Sequence, residues 1–414
     1  MAFVSFLRDN ARFLTAGALL TFASSFGQTY FISVFAGEIR GEFGLTHAGW
    51  GAIYAAGTMA SAVVMIWLGL LTDRFRARAL GVGVLISLAA ACLLMALTPA
   101  VWLLPGAVFA LRLAGQGMSS QVATVAIARW FVATRGRALS IASLGFAVGE
   151  SLLPLIFVAL LVVAPWRSLW VLAAVIALIL VPILWRLLSD ERTPQSVSAE
   201  NHAAGMGGLH WARGAVLRHW LFWVMVPSIL GQSAFLTAFF FQQVHVAEVK
   251  GWSHLELVAL FPLYTVAGVA AMLTAGWAID RFGSGRVAPV IQIPAALGFW
   301  AFSAAPTPGS AAIGVTLLAL SAGASSTLPG AFWAEYFGTR HLGGIKAMAT
   351  AVMVLGSAIG PGITGYFIDQ GISFPDQMPA IAVYFLVIAV IVGVGVGIAR
   401  RRLPSATEVH VIRP

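Results

Sequence analysis

The chain has 414 residues, of which 60% are hydrophobic and only 9% are charged, and its mean hydropathy is +0.92. A soluble protein carries charge on about a quarter of its residues, so this composition excludes an ordinary soluble domain. The net charge of +9 could suggest a nucleic-acid-binding protein. However, the basic residues fall in short runs between apolar segments, as in membrane proteins, and we expect no nucleic-acid partner.

Apolar segments recur along the whole chain, and each is long enough for a membrane span, which takes about 20 residues. The sequence therefore predicts an all-α polytopic membrane protein with twelve transmembrane helices and the lipid bilayer as its surroundings. The predicted spans are residues 13–36, 48–71, 79–98, 101–128, 138–163, 167–188, 220–246, 254–279, 287–305, 309–334, 344–368 and 378–399.

Basic residues are distributed unequally between the two sets of loops. Of the 24 lysines and arginines, only Arg40, Arg167 and Lys250 fall in the loops of one side, and Arg112 lies inside a span. The others lie in the loops, the tails and the adjoining span ends of the opposite side, which the positive-inside rule assigns to the cytoplasm. We therefore expect a multi-pass protein of the cell inner (plasma) membrane with both termini cytoplasmic, and we call the side poor in basic residues the outer side.

Two sequence patterns recur in the second half of the chain. Gly27-Gln28-Thr29 recurs as Gly231-Gln232-Ser233, and the run from Gly69 to Arg74 recurs from Gly276 to Arg281. Matches that keep their order indicate a duplicated unit, so we predict two pseudo-symmetric six-helix bundles. The predicted divisions are an N-terminal bundle (1–188), a cytoplasmic linker (189–218), a C-terminal bundle (219–402) and a cytoplasmic tail (403–414).

The loop after the second predicted span carries a recognisable motif. Gly69-Leu-Leu-Thr-Asp73-Arg74 resembles the cytoplasmic signature loop of the major facilitator superfamily, although Arg76 stands where a glycine is usual, and Gly276-Trp-Ala-Ile-Asp280-Arg281 repeats it. Arg112-Leu-Ala-Gly115-Gln-Gly117 in the fourth span is similar to that superfamily's Arg-x-x-Gly-x-Gly motif. The resemblance implies the major facilitator fold, transport by alternating access, and a cytoplasmic gate formed by Gly69, Asp73, Arg74, Gly276, Asp280 and Arg281.

Within that superfamily, the first half is similar to the monocarboxylate and oxalate/formate transporter group. The similarity lies in the run from Ser33 to Phe43 and in the run from Trp130 to Ala138, followed by Gly145, Gly149, Pro154 and Trp166-Arg167. Two departures concern the residues that bind cargo: Tyr30 replaces a lysine that many members carry, and Gly268 and Met272 replace their Asp/Arg pair. The resemblance implies secondary transport of a small organic anion, a monocarboxylate first of all, by proton symport or anion exchange.

Two charged side chains are predicted at mid-membrane depth. A charge there is costly unless it is paired or functional, so we interpret Arg112 as a binding residue for an anionic substrate. Glu150, the only acid away from the ends of the predicted spans, lies at a similar depth on the next helix. Burial favours its neutral form and a nearby arginine its charged form, so it is our candidate for proton coupling. The alternative for both residues is a permanent Arg112–Glu150 salt bridge.

Neutral polar and aromatic side chains complete the predicted substrate site. Amides and hydroxyls within a membrane need hydrogen-bond partners, which a neighbouring helix or a substrate can supply. The candidates beside Arg112 are Gln28, Tyr30, Gln116, Gln232, Tyr264 and Phe26, and helix packing is the alternative role for each of them.

Other functions are less well supported by the sequence. Proton-driven efflux of amphipathic drugs or metabolites is the main alternative, because the Arg112 motif also suits such antiporters. A membrane sensor would usually need an appended soluble domain, and an enzyme would need a nucleophile–base pair or a metal centre. We find no histidine or cysteine pairs at metal-ligand spacing and no phosphate loop, so we expect no cofactor, no metal and no enzymatic activity, in a protein that acts as a monomer.

Overall fold

The computed structural model describes residues 2–69, 71–131, 135–189, 205–338, 341–401 and 403. Helices joined by short turns account for these parts of the chain. We number the long helices α1 to α12. They are α1 (Ala2–Ser24, continued by Thr29–Ile32 and Ala36–Phe43), α2 (His47–Leu68), α3 (Ala77–Leu97), α4 (Leu104–Leu111, Arg112–Ser119 and Ser120–Trp130), α5 (Arg135–Leu161), α6 (Trp166–Leu187), α7 (Trp220–Phe241), α8 (Phe261–Phe282), α9 (Ser284–Val290 and Gln292–Ala304), α10 (Pro308–Phe337), α11 (Leu342–Asp369) and α12 (Phe374–Arg400).

The helices have the length and composition of membrane spans. Within the described part of the chain, eleven are long and apolar enough to cross a bilayer. The two parts of α1, Phe6–Gly27 and Thr29–Phe43, meet at a bend of 48° and make a twelfth if they form one span. The predicted all-α polytopic fold is therefore confirmed.

The outward face of α12 shows why the chain needs a bilayer. Val383, Val387, Val390 and Val394 are 50–66% exposed and follow one another at helical spacing. A soluble helix places polar residues on its exposed face, whereas here that face is aliphatic. Lipid chains are the surroundings that such a stripe fits.

Two compact units make up the protein. The first holds α1 to α6 together with Phe239–Pro262 and Pro361–Gln370, which are the predicted outer ends of helices from the second half. The second unit holds the remaining parts of α7 to α12. The domains predicted from the sequence are continuous in the chain, so they do not place these helix ends of the second half in the first unit.

Glycines let helices approach closely within each unit. In the first unit, a Cβ on Gly145 would collide with the Ala18 carbonyl oxygen, and one on Gly149 would collide with Ser25 Oγ of α1. In the second unit, a Cβ on Gly356 of α11 would lie 2.6 Å from the Leu230 carbonyl oxygen of α7. Small residues at such crossings are typical of membrane helix pairs, and the fifth helix of each half uses them against the first helix of that half.

Parts of the predicted domain scheme fall outside the described residues. Of the predicted linker, residues 190–204 lie outside them, and so does the tail apart from residue 403. The rest of the linker contains the short helix Arg213–Arg218, and the Trp211 amide donates a hydrogen bond to the Phe337 carbonyl at 3.1 Å. This end of the linker therefore belongs with the second unit.

Candidate functional site

Helix α1 is interrupted at Gln28, where the sequence predicted a continuous span. A 3₁₀ turn covers Ser25–Gly27, and Gln28 is extended, with φ −86° and ψ 155°. The helix restarts because the Gln28 carbonyl accepts hydrogen bonds from the amides of Phe31 and Ile32, at 3.2 and 3.1 Å. The break removes the Gly27 carbonyl from the regular helical ladder, so this oxygen is available to another donor.

Helix α4 is also irregular where it meets this break. Residues Arg112–Ser119 form a π-helix, a rare conformation that is frequent at functional sites. A Cβ on Gly27 would collide with the Leu111 carbonyl oxygen, and a Cβ on Gly115 would lie 2.6 Å from Gly27 Cα. The glycine of the Arg-x-x-Gly-x-Gly motif is thus needed for the two irregular segments to touch.

Arg112 projects from this π-helix onto the broken part of α1. Its side chain is 2% exposed, and Nη1 donates hydrogen bonds to the Gly27 carbonyl at 3.2 Å and to Thr29 Oγ1 at 3.5 Å. The guanidinium carbon lies 5.4 Å from the centre of the Tyr54 ring. The Nε atom is buried and has no hydrogen-bond partner. A cation therefore lies inside the first unit with one of its donors unused.

Two residues that the sequence analysis missed belong to this cluster. Tyr54 of α2 is fully buried, and its hydroxyl is hydrogen-bonded to the Thr29 hydroxyl. Thr29 stood within the repeated Gly-Gln-Thr pattern and so had a signal in the sequence. Tyr54 had none beyond being a tyrosine inside a predicted span.

Glu150 of α5 approaches the same break from another helix. The preceding residue, Gly149, packs on Ser25, whose hydroxyl accepts a hydrogen bond from the Tyr30 hydroxyl at 2.8 Å. Among the described residues, the partners of the Arg112 guanidinium are Gly27, Thr29 and Tyr54, and Glu150 is not one of them. The permanent salt bridge considered from the sequence is not present in this conformation.

The other candidates of the first unit lie around the break in different settings. Gln28 is its extended residue, and Gln116 lies in the π-helix, where its backbone nitrogen would lie 2.8 Å from a Cβ on Gly27. Tyr30 is 4% exposed and packs edge-on against Phe240. Phe26 is completely buried and packs edge-on in a cluster of phenylalanines, so in this conformation it contributes to packing.

Gln232 and Tyr264 belong to the second unit. Gln232 of α7 is 7% exposed and its amide nitrogen is hydrogen-bonded to the Ser321 hydroxyl of α10. Helix α7 is continuous at this residue, although its sequence repeats the pattern at which α1 is broken. Tyr264 of α8 is 6% exposed. The structure thus groups Arg112, Gln28, Tyr30, Gln116, Phe26 and Glu150 in one unit and these two residues in the other.

Comparison with known proteins decides the family. Residues 17–318 match the family model described as Major Facilitator Superfamily. The chain belongs to the major facilitator superfamily. This confirms the predicted superfamily and fold, and the family is one of transporters.

Individual relatives of this superfamily member are distant. The chain is 26% identical over 192 residues to the glycerol-3-phosphate transporter of Bacillus subtilis (strain 168), which covers 42% of this chain and 43% of the relative. The match therefore spans less than half of that protein's length. The assignment to the monocarboxylate and oxalate/formate group is not confirmed by these comparisons.

Solved structures show the same fold over nearly the whole chain. A bacterial homologue of the human lysosomal transporter Spinster, in an inward-facing and unoccupied conformation, superposes with a TM-score of 0.72 at 16% identity, over 96% of this chain and 99% of that one. A structure of the nucleoside transporter NupG gives a TM-score of 0.70 at 12% identity, over 94% and 99% of the two chains. At these identities the similarity concerns the fold alone.

The superfamily's signature loops are partly described. Gly69 ends α2, and Asp73 and Arg74 lie in the short helix Leu71–Arg74, with their side chains outside the described part of the structure. In the second copy, Gly276 has open space at its Cβ position, and Asp280 and Arg281 are exposed. The Arg281 guanidinium carbon lies 5.7 Å from the centre of the Trp277 ring. The gate role of these residues stays a prediction.

The outer ends of four helices pack together within the first unit of this superfamily member. The Ser33 hydroxyl of α1 donates a hydrogen bond to the Phe240 carbonyl of α7 at 2.8 Å. The Asp369 carboxylate at the end of α11 accepts hydrogen bonds from the amides of His47 and Ala48, at 3.1 and 2.9 Å, in the first turn of α2. A carboxylate at a helix N-terminus is stabilising, so Asp369 fastens α11 to α2.

We expect Asp369→Ala to loosen this outer closure. Asp369 is exposed, and an exposed carboxylate at a helix N-terminus contributes about 0.3–1 kcal/mol, so labelling of a buried residue in this region should rise by about twofold to fivefold. The measurement is the rate at which a membrane-impermeant maleimide labels Ser33→Cys, introduced into a Cys92→Ala background. Ser33 is fully buried, and Cys92 is the only native cysteine.

The matched control is Asp376→Ala. Asp376 is an acid at the start of α12, on the same predicted side, and its hydrogen bonds with Ser373 stay within its own helical turn. Labelling should stay at the unmodified rate in this control. Equal labelling in the two variants would show that Asp369 does not hold the outer ends together.

Proposed function

We propose that this protein is a secondary active transporter of a small organic anion that works by alternating access. The observation that carries the proposal is the burial of Arg112. This cation is only 2% exposed, and it has no carboxylate partner among the residues that the structure describes. An uncompensated charge within a membrane protein is expensive and usually functional. An anionic cargo would supply the missing charge.

The neighbours of Arg112 suit a carboxylate or a phosphate group. The Nε atom has no partner, and a guanidinium offers parallel donors that match two oxygens of an anion. The hydroxyls of Thr29 and Tyr54 adjoin the guanidinium, and because one of them donates to the other, the second can donate one further hydrogen bond. Binding would exchange the Gly27 carbonyl, a neutral acceptor, for a charged one.

The class of anion rests on two independent lines. The partial relative is named a glycerol-3-phosphate transporter, and its named cargo is an organic anion. The sequence similarity of the first half to monocarboxylate transporters favours a carboxylate. A monocarboxylate is therefore the first cargo to test and a small phosphate ester is the second.

Proton coupling is the second part of the proposal. Arg112 bonds to α1 at Gly27 and Thr29, and Glu150 follows Gly149, which packs on Ser25, so the two charged residues lie at the same break on α4 and α5. A shift of this segment on substrate binding would alter the surroundings of Glu150. This arrangement supports proton symport, and anion exchange is the alternative if Glu150 does not titrate.

The test is a thermal-shift screen of the purified protein. A ligand that binds only the folded state raises apparent stability, by about 2.7 kcal/mol at a hundredfold excess over its dissociation constant. Lactate or glycerol 3-phosphate should raise the melting temperature, whereas glycerol, which lacks the charge, should not. Arg112→Ala should lose the shift and Arg167→Ala should keep it. A shift caused by tetraphenylphosphonium and by none of the anions would favour efflux of amphipathic cations instead.

A further inference from the structure

The two copies of the signature loop differ at two positions. Arg76 stands where the second copy has Gly283, and Arg78 stands where it has Gly285. Gly283 has φ 84°, a positive value that favours glycine, whereas Arg76 is extended, with φ −64° and ψ 143°. The first copy therefore makes its turn without a glycine, and both positions can carry long side chains.

The folding of α3 does not account for these two arginines. They lie at the start of the helix, where the helix dipole disfavours cations, and the first turn of α3 contains no acidic residue. Within the described part of the chain, neither Arg76 nor Arg78 has a carboxylate partner. An anion from outside the chain would compensate their charge.

A tryptophan and two further arginines extend this basic surface. The Arg78 guanidinium carbon lies 3.8 Å from the centre of the Trp185 ring of α6, and Trp185 is 52% exposed. Arg186 follows in the last turn of α6 and is exposed. The Arg12 guanidinium of α1 donates a hydrogen bond to the Arg186 carbonyl at 3.2 Å. Arginines from three helices therefore gather at one end of the first unit.

The outward face of α6 leads to these arginines. Val175, Ile179 and Ile183 recur every four residues and are 44–55% exposed, and Arg186 follows Ile183 by three residues, on the same side of the helix. A phospholipid presents the same order of groups, apolar chains first and then a phosphate. Tryptophans such as Trp185 are typical of the boundary between membrane and water, and basic sites at the ends of membrane helices bind anionic headgroups.

We propose that the adjoining ends of α3 and α6 bind an anionic phospholipid. Arg78 and Arg186 bind the headgroup phosphate, since a guanidinium can donate to two phosphate oxygens at once. Trp185 holds the Arg78 guanidinium in place, and the acyl chains lie along the aliphatic face of α6. These residues belong to the first unit and do not include Arg112, so the proposal does not depend on anion transport.

The probe is dioleoylphosphatidylglycerol, added to the purified, delipidated protein, with bound lipid counted by native mass spectrometry. Dioleoylphosphatidylcholine, which has the same chains but no net charge, should bind at least about fivefold more weakly. Arg78→Gln and Arg186→Gln should each weaken phosphatidylglycerol binding by about fivefold, as expected for one arginine at an anionic lipid surface. The matched control is Arg213→Gln, which changes an exposed arginine of the linker helix and should leave the affinity unchanged.

Three results would overturn the proposal. Equal binding of the two lipids, or an equal loss in Arg213→Gln, would show that the attraction is spread over the whole basic surface. Displacement of the lipid by sodium phosphate, beyond that by sodium chloride of the same ionic strength, would show a site for a free anion. The melting temperature without lipid should stay close to that of the unmodified protein in both arginine variants. A fall in both would show that the two arginines support the fold instead.

Discussion

Arg112→Ala should reduce uptake of the anionic substrate by at least about a hundredfold, while the protein still folds and inserts. Each hydrogen bond to a charged group contributes about 1.5–3 kcal/mol, and two such bonds suffice for a hundredfold change in binding. The measurement is uptake of labelled lactate, or of the best anion from the thermal-shift screen, into proteoliposomes.

Two further variants separate the charge of Arg112 from its structural bond. Arg112→Gln keeps a neutral polar side chain in the π-helix but has no charge, and it should be as inactive as the alanine variant. Arg112→Lys keeps the charge without the planar fork, so it should recover only part of the activity.

A different pattern would overturn the assignment. If Arg112→Gln transported the anion normally, the residue would serve to hold α1 and α4 together and the anion would bind elsewhere. Melting temperatures of the three variants, measured without ligand, show whether a loss of uptake comes from misfolding.

Glu150→Gln should abolish accumulation of substrate driven by a pH gradient and leave exchange of labelled for unlabelled substrate intact. Glutamine resembles the protonated carboxyl and cannot release a proton, so the carrier step is lost but the binding site remains. The sequence provides no other acid in the middle of a predicted span, and Glu256 lies at the outer end of one. The expected result is a complete loss of concentrative uptake with counterflow near the unmodified rate.

The control for this variant is Glu42→Gln. Glu42 is an exposed acid at the outer end of α1, where its carboxylate forms an ion pair with Arg167 at 2.6 Å. It should retain gradient-driven accumulation. If Glu150→Gln still concentrates substrate on an imposed pH gradient, the proton carrier is another group. If the unmodified protein does not respond to the gradient, it is an exchanger.

The helical class of the protein could be predicted from its composition and the length of its apolar segments. Within a bilayer every backbone polar group must be hydrogen-bonded inside the protein, and apolar segments of this length satisfy that requirement as helices. The mid-membrane depth of Arg112 and Glu150, which comes from counting along a helix, stays a prediction. The break at Gln28 could not be predicted, because no proline marks it and the same Gly-Gln pattern continues as a regular helix in α7. Helix breaks of this kind depend on a partner surface, here Gly115 and the Leu111 carbonyl of α4.

The partners of Arg112 were beyond the sequence for a related reason. Counting at 3.6 residues per turn assumes a regular α-helix, whereas residues Arg112–Ser119 form a π-helix, which turns side chains away from their expected directions. Whether Arg112 faced Glu150 therefore stayed open until the irregular segments were seen. Tyr54 became part of the site only through the packing of α2 against these segments.

The mixed origin of the first unit has a consequence for biogenesis. Its last components, Pro361–Gln370, leave the ribosome only after most of the chain has been made, and they include Asp369, which binds the start of α2. A nascent chain that holds α1 to α6 alone lacks these contacts and those from Phe239–Pro262. The first half should therefore acquire protease resistance at its outer ends late, and two half-length genes should yield resistant protein only when they are expressed together.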